Sequence, residues 1–421
     1  MRLAPRCTVY LPVCAAAVIV SIAGADLPPD PSLRLVEPQT FDGFGETAVT
    51  DLNDLGLAVG RMAYSYTDDN GNGHTTVGSF DWLYHVEDQP TITGMGLFTN
   101  NRGDRVTVGS AVAGAVFTPG DGGPPSVIPP VDGHTFVLAA EINNNGMVVG
   151  TSGIFQIGIL SAIAWSEATG TINLSDFVPN ARTADYASDN GWIVGHRPST
   201  DGSPIEGFVL DINTGDWMDL YRYFNPTAPA GMGRTEVSAV NDAGQVVGRT
   251  TTDGGLLRAF VWSEADGHQF IPSPSFGGDP AYVYANHINN DGVVVGEALT
   301  GGGWRAYAWK PGTGFQALQA TANGSGYVLA YAVRVNDRGE VAGIAAPAHA
   351  PWSANRGYLV AAEACPADLA EPFGALNFFD LAAFLSLFQN GDPAADLAAP
   401  FGTLNFFDVS AYLAAYNAGC P

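Results

Sequence analysis

Lysine is almost absent from this chain: Lys310 is the only one in 421 residues, and 17 basic residues face 42 acidic ones. The resulting net charge of −25 repels polyanions, which argues against nucleic acid and anionic membrane as partners. Cysteine is scarce, with four residues. Several catalytic signatures are missing as well. There is no His-Glu-x-x-His, no Gly-x-Ser-x-Gly and no phosphate-binding P-loop, and the seven histidines are scattered. Past residue 25 no run is apolar enough to span a bilayer.

What the chain does have begins at its N-terminus. Arg2 and Arg6 precede a short apolar stretch, Cys7–Ile22, and then the small residues Ala23-Gly24-Ala25. This is the pattern of a secretory signal peptide over residues 1–25, and the stretch is short for the alternative, a membrane anchor. Cleavage there removes both arginines and no acid, leaving 15 basic and 42 acidic residues. Cys7 and Cys14 leave with the signal. Cys365 and Cys420 remain and bracket the last segment, which in an oxidising compartment suggests one disulfide rather than two free thiols. The expected destination is extracellular or the cell surface, with no span left in the mature chain.

Glycine (52) and proline (28) are plentiful and aromatics make up 11%, a composition that favours many short strands. Self-comparison explains it. LNDLGLAVG (52–60), TNNRGDRVTVG (99–109), INNNGMVVG (142–150), SDNGWIVG (188–195), VNDAGQVVG (240–248), INNDGVVVG (288–296) and VNDRGEVAG (335–343) are seven copies of one core, spaced by 41–53 residues. Each is followed by a second element, such as RAFVW (258–262) or RAYAW (305–309). Four short strands per roughly 47-residue repeat is the size of a β-propeller blade. The last repeat lacks a fourth strand, and an orphan strand, SLRLVEP (32–38), opens the mature chain. The expectation is an all-β, seven-bladed propeller over residues 26–363, its last blade completed by Leu33–Glu37; a β-solenoid is the competing architecture.

The repeated Asn-x-x-Gly reads as hairpin punctuation. Asn143, Asn241 and Asn289 bond locally across a type I turn, and Gly146, Gly244 and Gly292 take positive φ at the bulge position. Gly248 permits close backbone approach or a bend. Trp165, Trp262 and Trp309 are expected to fill space between blades. Seven identical hairpins are a simpler reading than seven identical ligand sites.

With its INxxGxVVG core and [HR]-A-[FY]-x-W element, the stretch from about 40 to 362 resembles the HAF-repeat family of extracellular bacterial proteins. The second, fourth and seventh copies depart from the pattern. The resemblance implies secretion and repeat architecture, and no defined chemistry.

Residues 364–421 are of another kind. DLAEPFGALNFFD (368–380) and DLAAPFGTLNFFD (396–408) stand 28 residues apart, each leading into a helical pattern. With the flanking Cys-Pro and Gly-Cys-Pro, this resembles a dockerin of the Cys-framed type. Dockerins hold Ca²⁺ in such loops and anchor their host to a partner. The residues available here are Asp368, Asn377 and Asp380 in the first copy and Asp396, Asn405 and Asp408 in the second. The loops run thirteen residues where twelve is expected, and Ala370, Pro372, Ala398 and Pro400 replace oxygen ligands, so apolar packing competes with Ca²⁺. A second Ca²⁺ candidate is Asp68, Asn70 and Asn72 in DDNGNG, where a solvated turn is the alternative.

The function expected from these features is non-enzymatic. A secreted repeat protein would bind a protein or polysaccharide of the cell envelope, and its tail would anchor or sort it. The alternative is a propeller hydrolase or lyase acting on polysaccharide; acids are abundant, but no pair is marked in the sequence.

Overall fold

The computed structural model describes the chain from Ser32 to Ala418 except 42–44, 69, 84–90, 93–96, 109–113, 199–205, 226–233, 253–256, 273–281, 301–302, 313, 319–326, 348–353, 362–366, 368, 370–375, 377, 391–394 and 396–403. Seven four-stranded antiparallel sheets follow one another around a ring. The first strand of each blade lines the central channel and touches the inner strands of both neighbours. These inner strands are Thr47–Leu52, Phe98–Thr99, Phe136–Ile142, Thr183–Ala187, Thr235–Val240, Val283–Ile288 and Tyr327–Val335. Blade two has the shortest one, in one of the three repeats that depart from the pattern.

The ring is closed by both ends of the propeller. Ser32–Leu35 pairs antiparallel with Tyr358–Ala361 as the outermost strand of blade seven. The joint is reinforced where Val36 N–H donates to Gly357 O at 2.8 Å and Thr47 Oγ1 donates to Val36 O at 2.6 Å. This strand covers the edge of Tyr358–Ala361 and brings blade seven to the four strands of the other blades.

The glycine that ends Val-Val-Gly has a physical cause. In six blades the inner strand carries a β-bulge, between Val49 and Asp51, Ala139 and Glu141, Ala184 and Tyr186, Val237 and Ala239, Ala285 and His287, and Ala332 and Arg334. The bulge pushes the inner strand onto its neighbour. A Cβ on Gly60, Gly150, Gly195, Gly248, Gly296 or Gly343 would lie 1.9–2.2 Å from an inner-strand carbonyl oxygen. Only glycine tolerates that approach. The bulge also re-aims the residue that follows it, with the consequence described below.

Between blades, the tryptophans pack as the sequence suggests. Trp262 joins Val194 and Val209 of blade four to the core of blade five. Trp309 does the same between blades five and six, and Trp165 between two and three. Beyond the propeller, helices Phe378–Asn390 and Phe406–Ala418 stack Phe384 on Tyr412, with ring centroids 4.0 Å apart and planes 8° apart. Among the described residues no helix is long and apolar enough to cross a membrane.

Candidate functional site

The seven hairpin turns converge on one mouth of the channel, and there the repeated asparagine does two jobs. Its Oδ1 closes its own turn: Asn241 Oδ1 accepts from Gln245 N–H at 2.9 Å, and Asn143 Oδ1 from Asn145 and Met147 at 3.1 and 2.8 Å. Asn289 Oδ1 accepts from Val293 N–H. Gly146, Gly244 and Gly292 have φ of 78°, 74° and 76°, the left-handed conformation the turn needs. The Nδ2 of the same asparagine reaches into the next blade. Asn53, Asn100, Asn143, Asn241, Asn289 and Asn336 each donate to the backbone oxygen of the next blade's turn residue, at 2.8–3.0 Å. Blade four has Ser188 here, whose hydroxyl instead accepts from Trp192 N–H within its own turn at 3.2 Å.

A second ring is complete. Asp54, Asn101, Asn144, Asp189, Asp242, Asn290 and Asp337 each accept, on a side-chain oxygen, the backbone N–H of the preceding blade's equivalent residue, at 2.7–2.9 Å. Burial, and then the charge of Asp54, push the Asp337 carboxyl up to about 7. The Asn-Asp pair is therefore a lock between blades as well as a turn within one. A single repeat carries no sign of that second role, because the partner lies 43–53 residues away, or 283 where the ring closes.

Above this ring sits the residue two places before each turn asparagine. It differs in every blade: Asp51, Glu141, Tyr186, His287 and Arg334 meet in the channel, whereas Phe98, in the blade without a bulge, packs against the core between blades two and three and Ala239 is buried in the core between blades five and six. Arg334 spans the channel. Its Nε donates to Asp51 Oδ1 at 3.0 Å and its Nη2 to Glu141 Oε2 at 2.5 Å. Asp51 Oδ2 also accepts from Thr99 N–H, and Glu141 Oε1 from Ile142 N–H. His287 Nδ1 accepts from Val335 N–H at 3.4 Å, which puts its proton on Nε2, 2.8 Å from Tyr186 Oη. Burial and Arg334 hold His287 well below the usual imidazole range, so it stays neutral. Burial, and then the Asp51 charge, push Glu141 up to about 8, because one guanidinium cannot balance two buried carboxylates. The pocket that this cluster and the turn rings line has a volume of about 90 Å³.

Further along the channel, blades four to seven carry a polar and aromatic wall. His196 Nδ1 pairs with Asp185 Oδ2 at 2.6 Å while its Nε2 accepts from Val237 N–H. Glu236 pairs with Arg234 and with Arg249, and Arg249 lies 4.0 Å over the Tyr284 ring. Asn286 Nδ2 donates to Glu297 Oε2 at 2.5 Å. Burial pushes Glu297 up to about 7, against the opposing pull of that hydrogen bond and of Arg249.

The residues singled out as Ca²⁺ ligands are placed as follows. Asp68 caps its own hairpin tip: it accepts from Asn70 N–H, Asn72 N–H and Asn72 Nδ2 and meets His74 Nε2 at 3.0 Å. His74 and these hydrogen bonds hold its carboxyl down at about 2. Asn70 and Asn72 contribute backbone donors to that cap. In the tail, Asn405 and Asp408 form a reciprocal helix cap. Asn405 Oδ1 accepts from Phe407 N–H, and Asp408 Oδ2 from Asn405 N–H at 2.7 Å. Asp380 is buried and accepts from Leu369 N–H. Asp368, Asn377, Asp396, Cys365 and Cys420 lie outside the described residues. Among the described residues no three His, Cys, Asp or Glu side chains are placed to hold a metal ion.

No protein-family model matches the chain, and no curated protein does. Solved structures match its fold. It is similar to the β-propeller domain of the Trilobed protease from Pyrococcus furiosus (9% identity, TM-score 0.48, 76% of this chain and 96% of that one). It is similar also to TolB from Acinetobacter baumannii (13%, 0.38, 73% and 80%) and to an oligogalacturonate lyase in complex with manganese (10%, 0.43, 80% and 92%). At these identities the likeness is one of propeller fold alone.

Proposed function

We propose that the chain is a secreted, non-catalytic propeller that binds a macromolecule of the cell envelope, protein or polysaccharide, through its surface and is held in place by its tail. The observation that carries this reading is the state of the channel. A general acid or base needs a lone pair or proton aimed at open space. The cluster of Asp51, Glu141, Tyr186, His287 and Arg334 spends its polar atoms on one another and on backbone N–H groups. The pocket below it, about 90 Å³, is small beside the roughly 300 Å³ or more of a typical small-molecule site. Five different residues at this position, from blades one, three, four, six and seven, thus assemble a plug.

The tail supports the anchoring half. Both copies present a solvent-facing Phe pair at equivalent positions, Phe378-Phe379 and Phe406-Phe407, each residue at least 62% exposed. Exposed aromatic pairs are a feature of docking surfaces. Immobilised mature chain is expected to retain an envelope component, and replacement of all four phenylalanines by serine to release it. Equal recovery by both forms would remove the tail from the account. Appearance of the mature chain outside the cytoplasm with Asp26 at its N-terminus tests the secretory part.

A second reading, a hydrolase or lyase acting on polysaccharide, draws on Glu297, whose raised carboxyl would suit a general acid near neutrality. Product release from a glycan panel, abolished by Glu297→Gln, would favour it.

A further inference from the structure

The wall over blades five to seven is not explained by the needs of the fold. At the position five before the turn asparagine, blades one, three and four carry Ala48, Leu138 and Thr183, whereas blades five, six and seven carry Glu236, Tyr284 and Tyr331. At the position after the glycine that ends Val-Val-Gly, blades five and six carry Arg249 and Glu297 where blades three and seven have Thr151 and Ile344; blades one and four have Arg61 and His196 there. The same backbone is therefore built without these groups elsewhere in the ring. Trp304 adds a third ring, centred 5.4 Å from Tyr284 and 6.1 Å from Tyr331. None of the three is sealed in the core: each is partly exposed, while the core tyrosines Tyr307 and Tyr358 are fully buried.

We propose that this wall binds a neutral oligosaccharide, with Trp304, Tyr284 and Tyr331 stacking on sugar rings, Glu236 and Arg249 hydrogen-bonding the hydroxyls, and the buried Glu297 holding Asn286 behind them. The inference gives the binding reading above a ligand class for this face of the propeller and is independent of the tail. A pyranose has an apolar C–H face and a rim of vicinal hydroxyls. The wall matches both, with flat rings at two inclinations, 75° and 32° between neighbours, interleaved with side chains fixed by their own pairing. Arg249 is oriented by Glu236 and by the Tyr284 face; Glu297 is oriented by Asn286. Such pre-orientation lowers the entropy cost of gripping a hydroxyl pair. Charge selects the sugar type. The net charge of −25 repels uronic acids and sulfated glycans at long range, while within the wall Arg234 and Arg249 offset Glu236.

The test titrates the mature chain with cellohexaose, mannohexaose, galactohexaose and an oligogalacturonate of equal length, reading calorimetric heat and tryptophan fluorescence. At least one neutral hexasaccharide is expected to bind, and the oligogalacturonate to bind more weakly than it. Trp304→Ala should weaken that binding about tenfold, the scale of one lost stacking contact with its burial, and Trp304→Phe by much less. Unchanged circular dichroism of both variants would show that the fold is intact. Absence of binding by all three neutral sugars would overturn the inference, and so would equal binding by Trp304→Ala. Binding of an unstructured acidic or neutral peptide at Trp304 in place of a sugar would also overturn it. None of these outcomes touches the tail, whose pull-down is scored separately.

Discussion

Replacing Asn289 separates the two roles given to the turn asparagine. The side chain is buried, accepts from Val293 N–H at 2.9 Å within its turn, and donates to Asn336 O at 2.9 Å in the next blade. Blade four supplies the natural control, since Ser188 keeps the turn bond and makes no such reach. Asn289→Ser should therefore lose the link between blades alone. Asn336 O keeps its bond from Gly339 N–H, so the cost is that of one net hydrogen bond, about 1 kcal/mol. Asn289→Ala also strands the N–H of Val293, a residue 1% exposed, which adds about 1–3 kcal/mol of unmet desolvation. The expected order is wild type, then serine at about 1 kcal/mol, then alanine at about 2–4 kcal/mol. Urea unfolding measures it as a shift in midpoint at constant slope. Equal costs for serine and alanine would refute the division of labour, and a serine variant as stable as wild type would refute the inter-blade lock.

The reverse change, Ser188→Asn, should complete the ring and raise stability by about 1 kcal/mol in the same assay. Gly296→Ala places a Cβ 1.9 Å from Tyr284 O and should cost about 3 kcal/mol, whereas Gly312→Ala, at a turn where a Cβ meets nothing within 4 Å, should cost only the strain of its positive φ, about 1 kcal/mol. Glu141 makes stability depend on pH. Its folded pKa is raised from 4.5 to about 8, so the folded state binds the extra proton and its contribution is lost as pH rises across that window. Glu141→Gln should flatten the decline between pH 5 and 8, measured as melting temperature against pH; an unchanged slope would place the dependence elsewhere.

The fold was legible because the sequence states it seven times. The spacing of the Asn-x-x-Gly turns gives the blade size, and the unfinished last repeat together with the orphan at Ser32 gives the closure. The channel cluster was not legible, and the reason is geometric. A β-bulge between Ala139 and Glu141, or Ala332 and Arg334, breaks the period-two pattern, so side-chain direction cannot be counted along the strand. Arg334 and Glu141 are 193 residues apart, and nothing local marks them as partners. One signal was available. When the repeats are aligned on the turn asparagine, Asp51, Glu141, His287 and Arg334 are charged or polar residues at an otherwise core-like position. Asp68 is legible in another way: within a ligand-like string, its carboxylate accepts from the backbone of its own hairpin, at Asn70 and Asn72.

The central claim, that the channel cluster is a closed structural plug, meets its most direct test in a turnover measurement. The mature chain and its Glu141→Gln and His287→Ala variants would be incubated with glycan and peptide panels and the products read by mass spectrometry. The account predicts no product from wild type and losses of stability alone in the variants. A product released by wild type and abolished by either substitution would contradict it.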